Sequence, residues 1–382
     1  MKQRILFDGI ATQSTAEVPF HGGGDYAKYV LKKAIELGYR NFDIVFSRKM
    51  IVDENIKNLI NAADGIHIYY IDALKEVYAI LETNKYDCFY SALAHIHKEY
   101  DLNILFIMVI HGMRSIELPW DEYRYKYYRG VLKRLFAFII TKSNILQKYL
   151  KRKHIKYMDG LIKVKNKKII TDSQHSKYAL LYYFPKLNAR DISVLYLPNF
   201  EFCEKIDNVD AQQNTYFLMI SANRWEKNIY RAVEAFDILF SHNQLTDKHV
   251  VITGYSAACW STRKIKNKDK FELLPYITES QLEDLYRRAF AFVYPSLNEG
   301  FGLPPLRAMQ YGIPVIASSA TSIPEVCGDA AIYFDPHSVG DLANRILQVT
   351  YDPAMYSLLV KNGIRQYQQY HTTEAIIKEV FD

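Results

Sequence analysis

The sequence predicts an α/β protein built from two Rossmann-like, doubly wound parallel-sheet domains. Three observations carry this. Short apolar, β-branched runs alternate with amphipathic segments along the whole chain; the pattern breaks once, at a polar stretch, and then restarts; and in both halves a strand candidate leads through a glycine-containing or polar loop into a helix. A chain of 382 residues is long for one core, so two domains of ordinary size are expected.

In the first half, RILFDGI (4–10) is a compact strand candidate, and HGGGDYAKYVLKKAIELGYR follows as a glycine turn and an amphipathic helix. FDIVFS (42–47), CFYSAL (88–93), ILFIMVIHG (104–112) and KKIITDS (167–173) supply further strands. The polar stretch 201–214 reads as a linker, which makes 1–200 the first domain. TYFLMIS then opens a second domain at 215–364, where an apolar strand ends in the basic loop SANRWEKN before the helix IYRAVEAFDILFSH. HVVITGY, FELLPYI, AFAFVYP, IPVIAS and AAIYFDP are its other strands, LEDLYRRA and DLANRILQVTY its helices, and 365–382 is expected to form a helix that packs back on the first domain.

Composition narrows the function. With 49% hydrophobic and 24% charged residues the chain is a folded protein rather than a disordered one. Cys88, Cys203, Cys259 and Cys327 are widely spaced, which suggests neither a zinc site nor a disulfide framework and fits a reducing cytoplasm. No signal segment and no membrane span is expected, because the longest apolar runs fall short of the roughly 20 residues a span needs.

The net charge of +6 hides a local bias. Residues 121–168 carry fifteen Lys and Arg against three Asp and Glu, interleaved with tyrosines and with apolar residues near helical spacing. Two readings stand for this stretch: a surface helix with a solvated basic face, or attachment at the periphery of an anionic membrane. Nucleic acid is not expected as a partner, since no nucleic-acid module accompanies the cations.

The candidate site residues come from loops that follow strands. Gly22, Gly23 and Gly24 could bring main-chain N–H groups against phosphate or sugar at a helix start. Arg224 and Lys227 could converge on a diphosphate, the first by gripping two oxygens and the second as a compact charge. In SLNEGFGLPPLRAMQYG (296–312), Gly300 and Gly302 allow close approach of a ligand, and Pro304 and Pro305 suit the first turn of a helix. Glu299 is either a helix-capping acid or an acceptor for sugar hydroxyls. His111 ends an apolar strand and could polarise or orient a reacting group. No Asp-x-Asp pair occurs, so no metal is expected to bridge a ligand.

These residues resemble the donor-site signature of the family-four (group 1) retaining glycosyltransferases of the GT-B fold. The likeness runs from SANRWEKN through ITESQLEDLYRRAFAFVYPS to PSLNEGFGLPPLRAMQYGIPVIASSATSIPEVCGDAAIYFDP, and is thinner in the first half. It implies two domains facing a central cleft, and transfer of a sugar from a nucleotide-diphosphate donor with retained configuration and without an obligatory metal or other cofactor. By position it also implies that Arg224 and Lys227 hold the diphosphate, that Glu299 contacts the donor sugar, and that Gly300, Phe301, Gly302 and Leu303 bind sugar and phosphate through the main chain. Gly23 and Gly24 would close over the donor, Tyr276 and Ile277 would cradle the base, and His111 would lie near the anomeric centre. One residue departs from the family: the second acid of its E-x7-E motif is Arg307 here, a donor where the ribose would meet an acceptor. The acceptor implied is a saccharide or lipid-linked saccharide, in surface polysaccharide assembly. An epimerase of the same fold, or a non-catalytic nucleotide-sugar-binding protein, is the alternative.

Overall fold

The computed structural model describes residues 3–14, 22–94, 104–196, 214–256, 265–370 and 375–382. They fold as two compact units, each with one wholly parallel sheet. The first takes its described residues from Met1–Met113, Lys153–Phe200 and Thr372–Asp382, the second from Arg114–Arg152 and Glu201–His371.

The first sheet contains β1 (Ile5–Asp8), β2 (Phe42–Ser47), β3 (Ile68–Ile71), β4 (Cys88–Ser91), β5 (Leu105–Ile110), β6 (Lys167–Thr171) and β7 (Ile192–Val194), in the order β3-β2-β1-β4-β5-β6-β7. β1 is an interior strand, with Phe7 paired to Ile44 on one side and Tyr90 on the other, and Ile5, Leu6 and Phe7 are fully buried. Burial on both faces is what an unbroken apolar run requires. β3 and β7 were not among the expected strands. β3 is an edge strand with three of its four residues only partly buried or exposed, and β7 has three residues, so neither carries a long apolar run.

The second sheet holds β8 (Tyr216–Met219), β9 (His249–Ile252), β10 (Phe271–Leu273), β11 (Ala291–Tyr294), β12 (Val315–Ser318) and β13 (Ala331–Phe334), in the order β10-β9-β8-β11-β12-β13. Every strand expected here is found. Both sheets reverse winding direction beside their first strand, between β1 and β4 and between β8 and β11, and such switch points are where open α/β sheets bind ligands.

Two stretches of chain sit differently from the sequence division. Residues 114–152, expected with the first domain, belong to the second unit. Two long-range charge pairs and a hydrogen bond hold them there: Arg231 to Asp121 at 2.8 Å, Arg114 to Glu226 at 2.6 Å, and Tyr123 donating to Glu234 at 2.7 Å. At the other end, the helix Pro353–Gln369 remains in the second unit, past the boundary expected at 364. The following helix, Ala375–Phe381, lies in the first unit, where Phe381 meets Phe42 at 5.1 Å between ring centres and Glu379 pairs with Lys168 at 2.8 Å. The expected linker, 201–214, falls almost wholly outside the described residues.

Candidate active site

In the second unit two loops follow the strands that flank the switch point. The loop after β8 carries Arg224, Glu226 and Lys227; the loop after β11 carries Ser296, Asn298 and Glu299. They are joined by the main chain, since Leu297 N–H donates to the Glu226 carbonyl at 2.8 Å, and by charge.

Lys227 Nζ lies 2.7 Å from Glu299 Oε1 and 3.1 Å from the Tyr294 hydroxyl. Ser296 Oγ donates to the same carboxylate oxygen at 2.6 Å. Both charged side chains are buried, at 7% and 10% exposure. Burial alone would raise the Glu299 pKa, but the charges of Lys227 and Arg114 and the two hydrogen bonds outweigh it, and the carboxyl is held at about 2. Lys227 is pushed below its ordinary value, by burial first and by the neighbouring Arg224 and Arg114, against the attraction of Glu299.

The other carboxylate, Glu226, receives two guanidinium groups: Arg114 at 2.6 Å, and Arg224 through Nε at 2.9 Å and Nη2 at 2.8 Å. Burial opposes ionisation of Glu226, yet Arg114 and Arg224 lower its pKa. Three cations thus meet two anions. Arg224 and Arg114 keep 43% and 37% of their side chains exposed, whereas Lys227 is buried. The sequence treats Arg224 and Lys227 as equals, whereas the structure makes Arg224 the accessible cation and Lys227 the buried support of Glu299.

Strained backbone frames the cluster. Of the five described non-glycine residues with positive φ, Ser221, Asn228 and Thr321 border these loops. Asn228 is held by donating to the carbonyls of Pro295 at 3.1 Å and Pro336 at 2.7 Å while accepting from Arg231 at 2.9 Å. Thr321 Oγ1 accepts from Glu299 N–H at 2.9 Å, and Ser322 Oγ donates to the Glu299 and Phe301 carbonyls at 3.0 and 2.8 Å. Gly302, at φ 112°, then turns the chain into the helix Leu303–Gln310, whose first turn holds Pro304 and Pro305 as expected. No side chain caps that helix, and because Pro304 and Pro305 carry no N–H, its orphan donors are reduced to the Gly302 and Leu303 N–H groups.

Arg307, on the same helix, is neutralised rather than free. It pairs with Glu279 and, at 3.3 Å, with Glu283, both on the helix Glu279–Arg287, and its guanidinium lies 5.5 Å from the centre of the Tyr286 ring. Tyr276, 56% exposed, and Ile277 directly precede that helix.

In the first unit His111 and the glycine loop do come together. The His111 ring stands between Asp172, 3.1 Å from Nδ1, and the Ala92 carbonyl, 2.9 Å from Nε2, with its edge against Tyr26. Gly23 opens the helix Gly22–Glu36, and a Cβ there would stand 2.5 Å from Leu93 and 3.3 Å from His111. Gly24 is buried in the same turn.

Sequence reasoning missed Glu226, Arg114, Asn228 and Gly254. Gly254, at φ 72°, brings the loop after β9 against Ser221, where a Cβ would lie 2.9 Å from the Ser221 main chain. Its only sequence signal is a glycine just past a strand. His95 and His97, spaced as a His-x-His pair, lie outside the described residues. Among the described residues no group of three His, Cys, Asp or Glu is placed to hold a metal.

Comparison with known proteins agrees with this layout. The family model for glycosyl transferases group 1 matches residues 204–366. O-antigen chain mannosyltransferase B of Escherichia coli is 33% identical over 160 residues, which cover 41% of this chain and 42% of that protein. The chain spans less than half the length of the curated relatives it matches. Among solved structures, sucrose-phosphate synthase from Thermosynechococcus elongatus superposes with a TM-score of 0.70 at 16% identity, covering 99% of this chain and 97% of that one. Anabaena HepE, solved with UDP and glucose, gives 0.66 at 14% identity, covering 99% and 98%. The two parallel-sheet units therefore have the GT-B fold, and residues 204–366 of the second are similar to the glycosyl transferases group 1.

Proposed function

We propose that this protein is a retaining, metal-independent glycosyltransferase that moves a sugar from a nucleotide-diphosphate donor to a saccharide or lipid-linked saccharide acceptor in surface polysaccharide assembly. The observation that carries the reading is the paired cluster at the second switch point: accessible Arg224, braced by a Glu226 that it shares with Arg114, beside an ionised, buried Glu299 and an uncapped helix start at Gly302. The likeness to an O-antigen chain mannosyltransferase supports the polysaccharide setting and makes nucleoside diphosphate mannose the first donor to test.

In this mechanism the acceptor oxygen forms a bond to the anomeric carbon as the bond from that carbon to the donor's phosphate oxygen breaks. The electron pair leaves with the nucleoside diphosphate. Arg224 and the N–H groups of Gly302 and Leu303 stabilise the charge that develops there, as preorganised groups do at low reorganisation cost. The acceptor's proton passes to the departing phosphate, so no strong protein base is required. Glu299 accepts hydrogen bonds from donor sugar hydroxyls, and His111, fixed by Asp172, orients the sugar. Tyr276 and Ile277 contact the base, and Gly23 and Gly24 contact the donor.

The test is turnover of nucleoside diphosphate sugars with oligosaccharide and lipid-linked acceptors. A product that keeps the donor's anomeric configuration, formed in the presence of a chelator, is expected. An inverted product, or conversion of the donor to a new sugar with no acceptor present, would replace this reading.

A further inference from the structure

The helices Val131–Lys142 and Asn144–Ile162 expose apolar side chains that a water-facing surface has no use for. Nine of the twenty exposed large hydrophobic residues among the described residues lie between Val131 and Tyr149. On the first helix Val131, Leu132, Leu135, Phe136 and Ile139 share one side, with Leu132 82% and Phe136 65% exposed, while Ala137 and Ile140 on another side are buried. This helix already has its core contact and carries a second apolar face besides. The next helix continues the patch with Ile145, 80% exposed, and Tyr149.

The pair is held firmly. Gln147 Nε2 donates to the carbonyls of Thr141 at 3.0 Å and Trp120 at 3.2 Å, and its Oε1 accepts from Trp120 N–H at 3.1 Å. Around the patch stand the exposed cations Lys133, Lys142, Lys148, Lys151 and Arg152. From Tyr123 to Met158 the sequence holds eleven Lys and Arg and no Asp or Glu.

We propose that this two-helix face docks on an anionic lipid surface, its apolar side chains entering the headgroup boundary and its cations meeting lipid phosphates. Charge selects this occupant over a second copy of the chain, since an isologous contact would set the same acid-free basic face against itself. No helix among the described residues is long and apolar enough to cross a membrane, so the contact is interfacial. The face uses none of the donor-cluster residues and stands or falls separately from the glycosyltransferase reading.

Co-sedimentation with vesicles tests it. The full chain should bind vesicles of equimolar phosphatidylcholine and phosphatidylglycerol and stay in solution with phosphatidylcholine alone. Changing Lys133, Lys148 and Lys151 together to Gln should weaken binding by roughly fivefold per lysine. Changing Leu132, Phe136 and Ile145 together to Ser should abolish it, with the thermal midpoint and the response to nucleoside diphosphate sugars unchanged in both variants. Equal binding to neutral vesicles, or no vesicle binding together with a dimer in sedimentation equilibrium that the serine variant dissolves, would overturn the proposal.

Discussion

Glu299 and Lys227 show what one buried pair requires of its neighbours. A carboxylate removed from water costs several kcal/mol, and here Lys227, Ser296 and the Arg114 charge offset that cost. Glu299→Gln removes the negative partner and strands a buried ammonium, so it should destabilise the fold by about 3 kcal/mol, measured by urea unfolding. The double variant Glu299→Gln, Lys227→Met should recover most of that loss, because the uncompensated charge is then gone. The same pair sets a pH dependence. Glu299 is held at about 2 against an ordinary 4.5, so its folded-state pKa is depressed; its stabilisation is complete above pH 4.5 and is lost as pH falls toward about 2. Thermal midpoints recorded through that window should fall more steeply for the native chain than for Glu299→Gln.

At the scale of elements, backbone geometry decides. Gly302 opens its helix at φ 112°, with Ile323 no closer than 4.0 Å to the Cβ position, so the barrier to a side chain there is conformational rather than steric. Gly302→Ala should cost about 1–2 kcal/mol in stability by forcing an unfavourable φ, and should misdirect the Leu303 N–H that follows. Gly254→Ala meets the main chain of Ser221 instead and has no flexible neighbour to yield. How legible an element is follows from its surroundings. β11 and β12 are buried along their whole length, and an unbroken apolar run announced them. β3 lies at a sheet edge and mixes exposed with buried positions, so its sequence resembles a loop. The candidate site was legible where a loop just past a strand carries a charge or a glycine, at Arg224, Lys227, Glu299 and Gly302. Glu226 and Arg114 were not, because their importance comes from meeting each other across more than a hundred residues of chain.

The whole molecule is two parallel-sheet units whose chain does not divide where the sequence changes texture. Residues 114–152 leave the end of β5 and attach to the second unit through contacts no local pattern reveals. Arg231, with 7% of its side chain exposed, depends on Asp121 from this segment for its countercharge. Asp121→Asn should therefore destabilise the second unit by about 3 kcal/mol, visible as a lowered unfolding midpoint for that unit. The segment also holds ten Lys and Arg against three Asp and Glu, a local excess that by itself exceeds the +6 of the whole chain. The central claim is that the second switch point binds a nucleotide diphosphate through Arg224, and a thermal-shift titration of native chain and Arg224→Ala with nucleoside diphosphates and their sugars tests it most directly. The account predicts a concentration-dependent rise in the native midpoint, and an affinity about tenfold or more weaker in the variant, in line with loss of a charge-assisted guanidinium–phosphate contact. Equal shifts in the two proteins, or no shift with any nucleotide, would contradict it.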